Sequence, residues 1–418
     1  MDKGRQGVDP YEPHGQRRIR LLTFTSLYPN AVRPHHGVFV EERLRHLVAG
    51  GVVSTTVVAP VPWFPLRHWR FGSFASFAAV PEREERNGIR VLHPRYPVIP
   101  KLGMSLAPSL MFRALLPVLR RLLYKHPGFD LIDAHYFYPD GVAAVALGRK
   151  LNVPVVVTAR GTDVNVFPRF LLPRLQIVRA ARDAGAVVAV SRALYDKLIR
   201  LGVTHEKITV LRNGVDLERF RPLDREALRV KLGLGGSVWL AVGNLVELKG
   251  VSLTLAAIAG IQGVTLLIAG EGPEESRLRR IAAELRIASR VRFLGSIRQT
   301  ELVDYYNAAD ITVLASSREG MPNVVLESLA CGTPVIAAPF DGSAELLSAP
   351  EAGEIADSRT VAAISAAWTR LRDRRPERSA TRRFAERFGW GPVIEAQQAL
   401  YARVLLASGE AARLEVPS

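Results

Sequence analysis

The chain has 418 residues, of which 48% are hydrophobic, and it carries a formal net charge of +16 at pH 7. This length predicts two domains with sizeable cores, and the composition excludes a disordered chain. No apolar run approaches the roughly 18 residues needed to cross a bilayer. Residues 1–20 lack the apolar core of a secretory signal, and the single Cys331 excludes an internal disulfide, so we expect a cytoplasmic protein.

Nearly all of the excess positive charge lies in the first half of the chain. Residues 1–210 contain 30 Lys and Arg residues against 15 Asp and Glu residues, which leaves a net charge of +15. A basic half-protein attracts polyanions, which include nucleic acid, anionic lipid and phosphate-bearing substrates. The alternative is an Arg-rich surface that reflects only genomic base composition.

Apolar strands alternate with helices along this half. Strands are predicted over residues 18–26, 52–59, 89–93, 130–134, 153–158, 185–190 and 207–211. Helices are predicted over residues 38–50, 109–125, 140–150 and 191–201. Continuous apolar strands that alternate with helices are typical of a parallel, doubly wound sheet.

Two stretches of the basic half combine apolar and cationic side chains. Residues 61–79 interleave six aromatic residues with Arg67 and Arg70, which suits a membrane interface. A flap over a ligand cleft and plain core packing are the alternatives for this stretch. The predicted helix 110–126 sets four basic residues against Leu and Val, and we interpret it as an amphipathic helix packed on the sheet.

The strand–helix pattern restarts in the second half. Strands are predicted over 237–242, 264–269, 290–294, 311–314 and 334–337, and helices over 251–260, 274–286, 299–308, after Pro322 and over 390–406. The expected fold class is α/β, with two doubly wound, Rossmann-like domains that face each other across a cleft. We assign 1–17 to a flexible N-terminus, 18–213 and 214–385 to the two domains, and 386–418 to a C-terminal helix that crosses back to the first domain.

The most informative motif is the run from Glu319 to Glu327. Pro322 is favoured at the first position of a helix, so a helix is expected to begin there. Its free backbone amides and positive dipole end then form a site for phosphate. Glu319 stands in the loop before this site, and Glu327 lies on the second turn, unless it is an ordinary surface residue. Amides flanked by two carboxylates that accept hydroxyl groups suit a sugar joined to a diphosphate.

A second candidate for phosphate binding follows the strand 237–242. Gly243 allows a ligand to approach the backbone, and Lys249 offers a positive charge at the carboxyl end of the strand, where open α/β sheets bind ligands. A solvated lysine is the alternative. The loop 269–273 is another glycine-containing turn at this edge, but neither loop has the dinucleotide G-x-G-x-x-G pattern.

The sequence gives no indication of a metal site. The nine histidines and the one cysteine show no metal-ligand spacing, and there is no Asp-x-Asp motif. We therefore expect no metal and no other cofactor.

These motifs resemble the retaining glycosyltransferases of family 4, which have the GT-B fold. The resemblance rests on residues 291–295, 301–310, 316–322 and 326–337, on the hinge 212–222, on Val190 and Ser191, and on the helix that starts at Trp390. It covers nearly the whole chain from about Arg18, more loosely in the first half. It implies GT-B architecture and a transferase, of the hexosyltransferase class, that takes its sugar from a nucleotide-diphosphate donor.

The resemblance also implies roles for individual residues. Glu319, Lys249 and His135 are the predicted catalytic residues, with Glu319 near the reacting carbon and His135 beside the donor sugar. The predicted donor-binding residues are Gly37, Gly243, Asn244, Lys249, Leu294, Gly320, Met321, Pro322, Asn323, Val324 and Glu327. On the acceptor side they are Arg160 and Asp163. A satisfied core histidine is the alternative for His135, and a turn cap is the alternative for Asp163.

The chain departs from the family pattern at two places. Asn244 stands where the family commonly has an Arg, so Lys249 is expected to carry more of the charge stabilisation. The frequent His-Gly-x-Asp appears here as 160–163, with Arg160 in place of the His. Together with the opening 28–40, this variant resembles a bacterial subgroup that includes teichuronic-acid-type polysaccharide enzymes.

We therefore expect a retaining, metal-independent glycosyltransferase in cell-surface polysaccharide or glycolipid synthesis. The acceptor is a saccharide or a lipid-linked saccharide, the expected partners include an anionic membrane surface, and nucleic acid is not expected. The enzyme is expected in the cytoplasm, peripheral on the inner face of the plasma membrane. The alternatives are a non-catalytic nucleotide-sugar-binding subunit, supported only by Asn244, and a nucleotide-sugar epimerase.

Overall fold

The computed structural model of the protein describes residues 18–63, 77–98, 103–125 and 128–409. The predicted N-terminal segment 1–17 lies outside the described residues. So does most of the aromatic stretch 61–79, for which membrane contact was one prediction.

The first domain is built on an eight-stranded sheet. Its strands are β1 (Ile19–Phe24), β2 (Val53–Val58), β4 (Arg83–Arg86), β5 (Ile89–Leu92), β7 (Leu131–His135), β8 (Val155–Ala159), β9 (Ala186–Ala189) and β10 (Ile208–Val210), in the order β10-β9-β8-β7-β1-β2-β5-β4. All pairs are parallel except β4 with β5. A separate parallel pair joins β3 (Val61–Trp63) to β6 (Arg95–Pro97).

Helices cover both faces of this sheet. They are α1 (Val38–Ala49), α2 (Ala107–Lys125), α3 (Val142–Leu151), α4 (Thr162–Asn165), α5 (Leu171–Asp183) and α6 (Arg192–Arg200). The central strands β7, β8 and β9 are buried along their whole length, as expected for parallel strands with helices on both sides.

The second domain has a six-stranded, all-parallel sheet. Its strands are β11 (Ser237–Val242), β12 (Val264–Ala269), β13 (Val291–Gly295), β14 (Ile311–Leu314), β15 (Val335–Ala337) and β16 (Gly353–Ile355), in the order β13-β12-β11-β14-β15-β16. Its helices are α7 (Arg225–Leu232), α8 (Val251–Ala259), α9 (Glu275–Glu284), α10 (Gln299–Ala308), α11 (Asn323–Ala330), α12 (Ser343–Leu346), α13 (Val361–Arg374) and α14 (Arg378–Glu386).

The prediction of a two-domain α/β fold with parallel sheets is confirmed. Each strand and helix for which a residue range was predicted is present, with small differences in its ends. Four strands were not predicted, namely β3, β4, β6 and β16. The four residues of β4 are all charged. This strand lies at the edge of the sheet and pairs with β5 through a turn in which Asn87 and Gly88 both have positive φ. An edge strand favours charged side chains, so it lacks the apolar pattern by which buried strands are recognised, although Asn-Gly is itself a hairpin signal.

The last helix, α15 (Trp390–Ala407), packs against the first domain. Trp390, Ile394, Tyr401 and Val404 lie in one apolar cluster with residues of β1, β2 and α1. The buried Arg43 of α1 reinforces this contact, because it donates to the side-chain oxygen of Gln397 at 2.8 Å and to two backbone carbonyls of the segment that leads to the second domain.

Ion pairs also connect the two domains directly. Lys197 pairs with Asp341, and Arg212 pairs with Glu345. None of the helices in the described part of the chain combines the length and the apolar character that a membrane span requires.

Candidate active site

The carboxyl ends of the parallel strands in the two sheets face each other, and most of the predicted site residues follow those ends. In the first domain, His135 ends β7 and Arg160 follows β8. In the second domain, Gly243 follows β11 and Glu319 lies in the loop after β14. Parallel sheets bind ligands at this edge, because every connecting loop there can present side chains and backbone amides to the same cleft.

Lys249 and Glu319 meet at the edge of the second sheet. The ammonium Nζ donates to the carboxylate Oε1 at 2.7 Å, and both side chains are only partly exposed. Lys249 ends a short turn, Glu247–Lys249, just before α8, and its side chain passes over Gly243. Gly243 has φ +138°, so the residue type predicted for close approach is also the one that this backbone requires.

The helix α11 presents its N terminus to the same loop. Pro322 is the N-cap residue, with extended backbone, and its carbonyl accepts from Val325 N–H at 3.2 Å. The predicted start at Pro322 is thus one residue early, because a cap residue has non-helical ψ while its carbonyl already belongs to the helix. Within the described structure no side chain caps this end, so the first-turn amides and the dipole are available to an anion.

Gly320 brings the two domains into contact. A Cβ at this position would lie 1.9 Å from the carbonyl oxygen of Arg160 and 3.1 Å from the Cα of Gly161. Only a residue without a side chain can approach the backbone this closely. The loop that carries Glu319 therefore rests directly on the loop of the first domain predicted to face the acceptor.

Arg160 connects four parts of the chain. Its Nη2 donates to His135 Nδ1 at 2.8 Å, its Nη1 donates to Asn213 Oδ1 at 2.9 Å, and its guanidinium lies 5.1 Å from the centre of the Phe39 ring. Asn213 continues the network, because its Nδ2 donates to Asn323 Oδ1 at 2.8 Å. Burial, with the charge of Arg43 nearby, lowers the pKa of Arg160 to about 9, so the side chain is still charged at neutral pH.

His135 is buried, and protein groups contact both of its ring nitrogens. Nε2 lies 2.9 Å from Asp133 Oδ2, while Nδ1 faces the guanidinium of Arg160. Because Arg160 can only donate, Nδ1 accepts and the proton sits on Nε2. Burial lowers the pKa of His135 despite the adjacent carboxylate of Asp133, so the ring is neutral. Its predicted catalytic role stays a prediction, and the geometry gives it the part of holding Arg160.

Asp163 lies at the centre of a turn. Its carboxylate accepts hydrogen bonds from the backbone N–H groups of Phe137, Arg160, Gly161 and Val164, at 2.6 to 3.1 Å. Burial raises the pKa of Asp163 above its usual value, and these four donors oppose the shift. The geometry supports the turn cap weighed in the sequence analysis, while its acceptor-side role stays a prediction.

Glu327 lies on the second turn of α11 and is buried. Its Oε2 accepts a hydrogen bond from the Tyr306 hydroxyl at 2.9 Å. Burial raises the pKa of Glu327 to about 7, although the bond from Tyr306 opposes the shift. Burial also raises the pKa of Tyr306 well above its usual value, so its hydroxyl stays protonated and continues to donate. The carboxylate is thus oriented from one side, as a binding group for ligand hydroxyls needs to be.

Gly37 marks the loop that the first domain contributes. It has φ +76°, precedes α1, and packs so closely on the backbone of Leu27 that a Cβ would lie 2.3 Å from that carbonyl oxygen. The neighbouring His36 is neutral, because burial and the adjacent Arg33 lower its pKa to about 4. The described contacts join Gly37 to its own domain, and its approach to a diphosphate stays a prediction.

The remaining predicted donor-binding residues lie along the edge of the second sheet. Asn244 is exposed on the loop after β11, and Leu294 is near the end of β13, whose last residue Gly295 bonds to Gly270. Met321 and Val324 flank the start of α11. Tyr306 lies within the motif 301–310 but was not predicted as a site residue, and Asn213 was named only as part of the hinge. Neither residue is near its partner in the chain, since Tyr306 contacts Glu327 and Asn213 contacts Asn323.

One group of potential metal ligands occurs among the described residues. Single ligand atoms of Glu42, His46 and Asp216 lie within 4.8 Å of one another. Arg45 already binds both carboxylates, at 2.9 and 2.8 Å, and Arg219 binds Glu42 at 3.1 Å. Two guanidinium groups neutralise the carboxylates, so this cluster is an ion-pair link between α1 and the hinge. The metal-independent reaction stays a prediction.

Two Rossmann-like domains with a candidate site between the carboxyl ends of their sheets are typical of the GT-B fold. The chain matches the family described as "Glycosyl transferases group 1" over residues 224–388 and "Glycosyltransferase Family 4" over residues 37–219. The protein belongs to the glycosyltransferases of group 1 and family 4, as its sequence motifs predict.

Two relatives illustrate the similarity in sequence. The chain is 33% identical over 338 residues, which are 78% of this chain and 83% of the other, to TuaC of Bacillus subtilis, described as a teichuronic acid biosynthesis glycosyltransferase. It is 30% identical over 311 residues, 69% of this chain and 70% of the other, to the D-inositol 3-phosphate glycosyltransferase of Mycolicibacterium smegmatis. The first similarity confirms the predicted resemblance to teichuronic-acid-type enzymes.

Solved structures show the same fold at lower identity. The sucrose-phosphate synthase of Thermosynechococcus elongatus superposes with a TM-score of 0.74 at 20% identity, over 94% of this chain and all of the other. Anabaena HepE in complex with UDP and glucose superposes with a TM-score of 0.70 at 21% identity, over 92% of this chain and 99% of the other. These similarities confirm the predicted GT-B architecture.

Proposed function

We propose that this protein is a retaining, metal-independent glycosyltransferase that moves a sugar from a nucleotide-diphosphate donor to a saccharide or lipid-linked saccharide. The observation that carries the proposal is the ion pair of Lys249 and Glu319 beside the uncapped N terminus of α11. A cation, free amides and a carboxylate in one loop cluster are the groups needed to hold a diphosphate joined to a sugar.

Each group has a distinct part in the proposed reaction. Lys249 and the amides of α11 hold the diphosphate and stabilise its charge as it departs, in place of a metal. Glu319 takes hydroxyls of the donor sugar, and Glu327 takes the ribose hydroxyls. The bond from the anomeric carbon to the phosphate oxygen breaks, and a bond to the acceptor oxygen forms on the same face. The acceptor proton passes to the phosphate oxygen, so no carboxylate nucleophile is needed.

The acceptor is proposed to bind the first domain, at the inner face of the plasma membrane, in the synthesis of a cell-surface polysaccharide or glycolipid. The net charge of +15 over residues 1–210 supports an anionic surface as partner. The relative TuaC, described as a teichuronic acid biosynthesis glycosyltransferase, supports a polysaccharide product.

A thermal-shift screen of UDP-, GDP- and ADP-sugars in the presence of EDTA tests the proposal. We expect one class of donor to raise the melting temperature without metal. A shift that requires added Mg²⁺ contradicts metal independence, and no shift with any donor contradicts the donor site.

NMR of the stabilising donor with enzyme then separates the alternatives. A sugar that changes configuration while still attached to its nucleotide indicates an epimerase. Binding without turnover across a panel of acceptors indicates a non-catalytic subunit. Transfer with the anomeric configuration kept is the expected result.

A further inference from the structure

Five large apolar side chains lie exposed together on the first domain. Phe170, Leu171, Leu172 and Leu175, at the start of α5, are 49%, 71%, 58% and 56% exposed, and Leu106 is 51% exposed. Leu106 ends the short turn Met104–Leu106, which packs on α5 and accepts a hydrogen bond from Gln176 at the backbone oxygen of Ser105. We call these five residues the apolar patch.

The fold does not need the patch for its own stability. The helix α5 already has a buried face, formed by Pro173, Ile177, Ala180 and Ala181. Leu172 and Leu175 follow Leu171 by one and four positions, so the three side chains share one side of the helix. That side is opposite the buried face. Apolar surface that is contiguous and exposed marks an interaction site more often than single exposed residues do.

The surroundings of the patch are cationic. Arg169 and Arg174 are exposed at the patch itself, and Arg179 and Arg182 are exposed further along α5. The packed helices α2 and α3 add exposed basic residues, namely Arg113, Arg120, Arg121, Arg149 and Lys150.

Few acidic groups offset this charge. Of the five carboxylates that the described structure has between residues 103 and 183, three are buried, namely Asp133, Asp140 and Asp163. Asp183 faces three arginines, and Asp130 binds Arg20. The helical layer that carries the patch therefore presents nearly uncompensated positive charge.

We propose that the apolar patch inserts into the interfacial region of an anionic phospholipid bilayer, with the surrounding arginines on the headgroups. Apolar side chains at an interface combined with basic residues around them are what such binding requires. A second copy of the chain is a poorer occupant. A twofold interface through the patch sets Arg169 and Arg174 of one copy against those of the other.

The patch is attached to the cleft. The first helix residues of the patch are close to the cleft in sequence, because Phe170 follows Gly161 by nine positions and Gly161 contacts Gly320. The intervening Phe167 packs on the rings of Tyr136 and Tyr138, with ring centres 6.3 and 5.0 Å apart. Docking therefore holds the acceptor side of the cleft near the headgroups. The inference deepens the proposed function and rests on it for the lipid-linked acceptor, although the binding surface itself can be tested separately.

The test is sedimentation of the full chain with vesicles of equal parts phosphatidylglycerol and phosphatidylcholine, and with phosphatidylcholine alone. We expect binding to the anionic vesicles that weakens as salt increases. The triple variant Leu171→Ser, Leu172→Ser, Leu175→Ser is expected to lose at least about tenfold in vesicle affinity. The double variant Arg169→Glu, Arg174→Glu is expected to lose preference for the anionic vesicles.

A matched control changes exposed apolar residues of the second domain, Val230→Ser and Leu285→Ser, and is expected to bind vesicles like the wild type. Wild-type vesicle binding by the triple variant overturns the proposal. The proposal is also overturned if the wild type is a dimer that binds no vesicles and the triple variant is a monomer.

Melting temperature and its shift by the stabilising nucleotide sugar are measured on every variant. Both are expected to be unchanged, since none of these residues belongs to the donor site. If the protein binds vesicles through the patch but responds to no nucleotide sugar, the proposed membrane-binding surface is supported and the proposed function is contradicted. If it responds to a nucleotide sugar but does not bind vesicles through the patch, only the proposed membrane-binding surface is contradicted.

Discussion

Lys249 and Glu319 form an ion pair, with Nζ 2.7 Å from Oε1, at the place where a donor diphosphate is proposed to bind. The carboxylate of Glu319 is therefore paired with the ammonium group that the diphosphate needs. Donor binding has to exchange one anionic partner of Lys249 for another, which makes opposite predictions for the two members of the pair.

The variant Glu319→Gln is expected to bind UDP or the matching nucleotide more tightly and to transfer sugar more slowly. Removing a partly exposed competing charge is worth up to about 1 kcal/mol, or about fivefold in affinity. Transfer is expected to fall on the order of a hundredfold, since the carboxylate no longer orients the sugar. Lys249→Ala is expected to weaken both.

Calorimetry and a transfer assay on the two variants measure these effects. The surface pair Lys231 and Asp304, with a similar separation of 2.8 Å, provides the control, and Lys231→Ala is expected to change neither quantity. Weaker nucleotide binding by Glu319→Gln contradicts the proposed competition.

The variant Asn323→Asp separates helix stability from anion binding. Its side chain can still accept from Asn213, and a negative charge at the start of α11 stabilises the helix by about 0.3–1 kcal/mol. The same charge repels a diphosphate, so the shift of melting temperature by the nucleotide sugar is expected to shrink. Ala362→Asp, in the exposed first turn of α13, is the control that adds charge at another helix start. An unchanged response to donor in Asn323→Asp argues against the phosphate site.

The variant Gly320→Ala is expected to keep donor binding and lose transfer. Its Cβ overlaps the Arg160 carbonyl, so the Glu319 loop and the first domain have to move apart. A displacement of about 1 Å in an active site costs on the order of a hundredfold in rate. Gly391→Ala, with nothing within 4 Å of the added carbon, is the matched control. Near-normal kcat in Gly320→Ala shows that this contact is not part of the active arrangement.

The raised pKa of Glu327, about 7, predicts a pH dependence of donor binding. Ribose hydroxyls donate to the ionised form, so affinity for the nucleotide sugar is expected to rise from about pH 6 to about pH 8. A nucleotide sugar is the suitable probe, because a terminal phosphate itself titrates near pH 6. In Glu327→Gln the affinity is expected to be lower and flat over this range. A wild-type profile that is already flat contradicts the role of Glu327.

The pH dependence of folding stability is expected to have the opposite sign to that of donor affinity. Because the folded pKa of Glu327 exceeds the usual value of 4.5, the carboxyl favours the folded state fully below that value, and this contribution is lost as pH rises through about 7. Glu327→Gln, which cannot ionise, is therefore expected to gain stability relative to the wild type as the pH increases. Urea unfolding at about pH 4.5 and at about pH 8 measures the difference.

The variant Asn213→Ala tests the link between Arg160 and α11. It leaves the buried Nη1 of Arg160 without its acceptor, which costs about 1–3 kcal/mol of stability. It also releases Asn323, so transfer is expected to fall more than donor affinity does. Loss of stability with an unchanged ratio of kcat to KM assigns Asn213 a purely structural part.

Much of the candidate site could be predicted because its signals are local. The spacing from Glu319 to Glu327 places a loop carboxylate and a second-turn carboxylate around a helix start, and the structure has α11 there with both groups beside it. Lys249 was predicted from its position after a buried strand. The helix begins at Asn323, one residue after the predicted start at Pro322. The proline ring suits the N-cap position as well as the first helical position, so the two could not be distinguished from the sequence.

The parts that could not be predicted depend on residues far apart in the chain. Arg160 and Asn213 are 53 residues apart, and Asn213 and Asn323 are 110 residues apart. Likewise, the helix that carries most of the apolar patch, Leu171–Asp183, was not among the predicted helices. Only the fold shows that Pro173 and Ile177 are buried while Leu171 and Leu175 are exposed.

The amino-acid sequence alone determined most of the strands and helices, the two-domain α/β architecture and the chemical groups at the proposed donor site. Periodicity, helix starts and strand ends are properties of neighbouring residues, so a single chain displays them. Tertiary structure decided which groups meet: that Lys249 is held by Glu319, that Tyr306 orients Glu327, and that His135 supports Arg160. Those contacts follow from how two sheets pack across a cleft, and the burial that comes with packing also sets the pKa values.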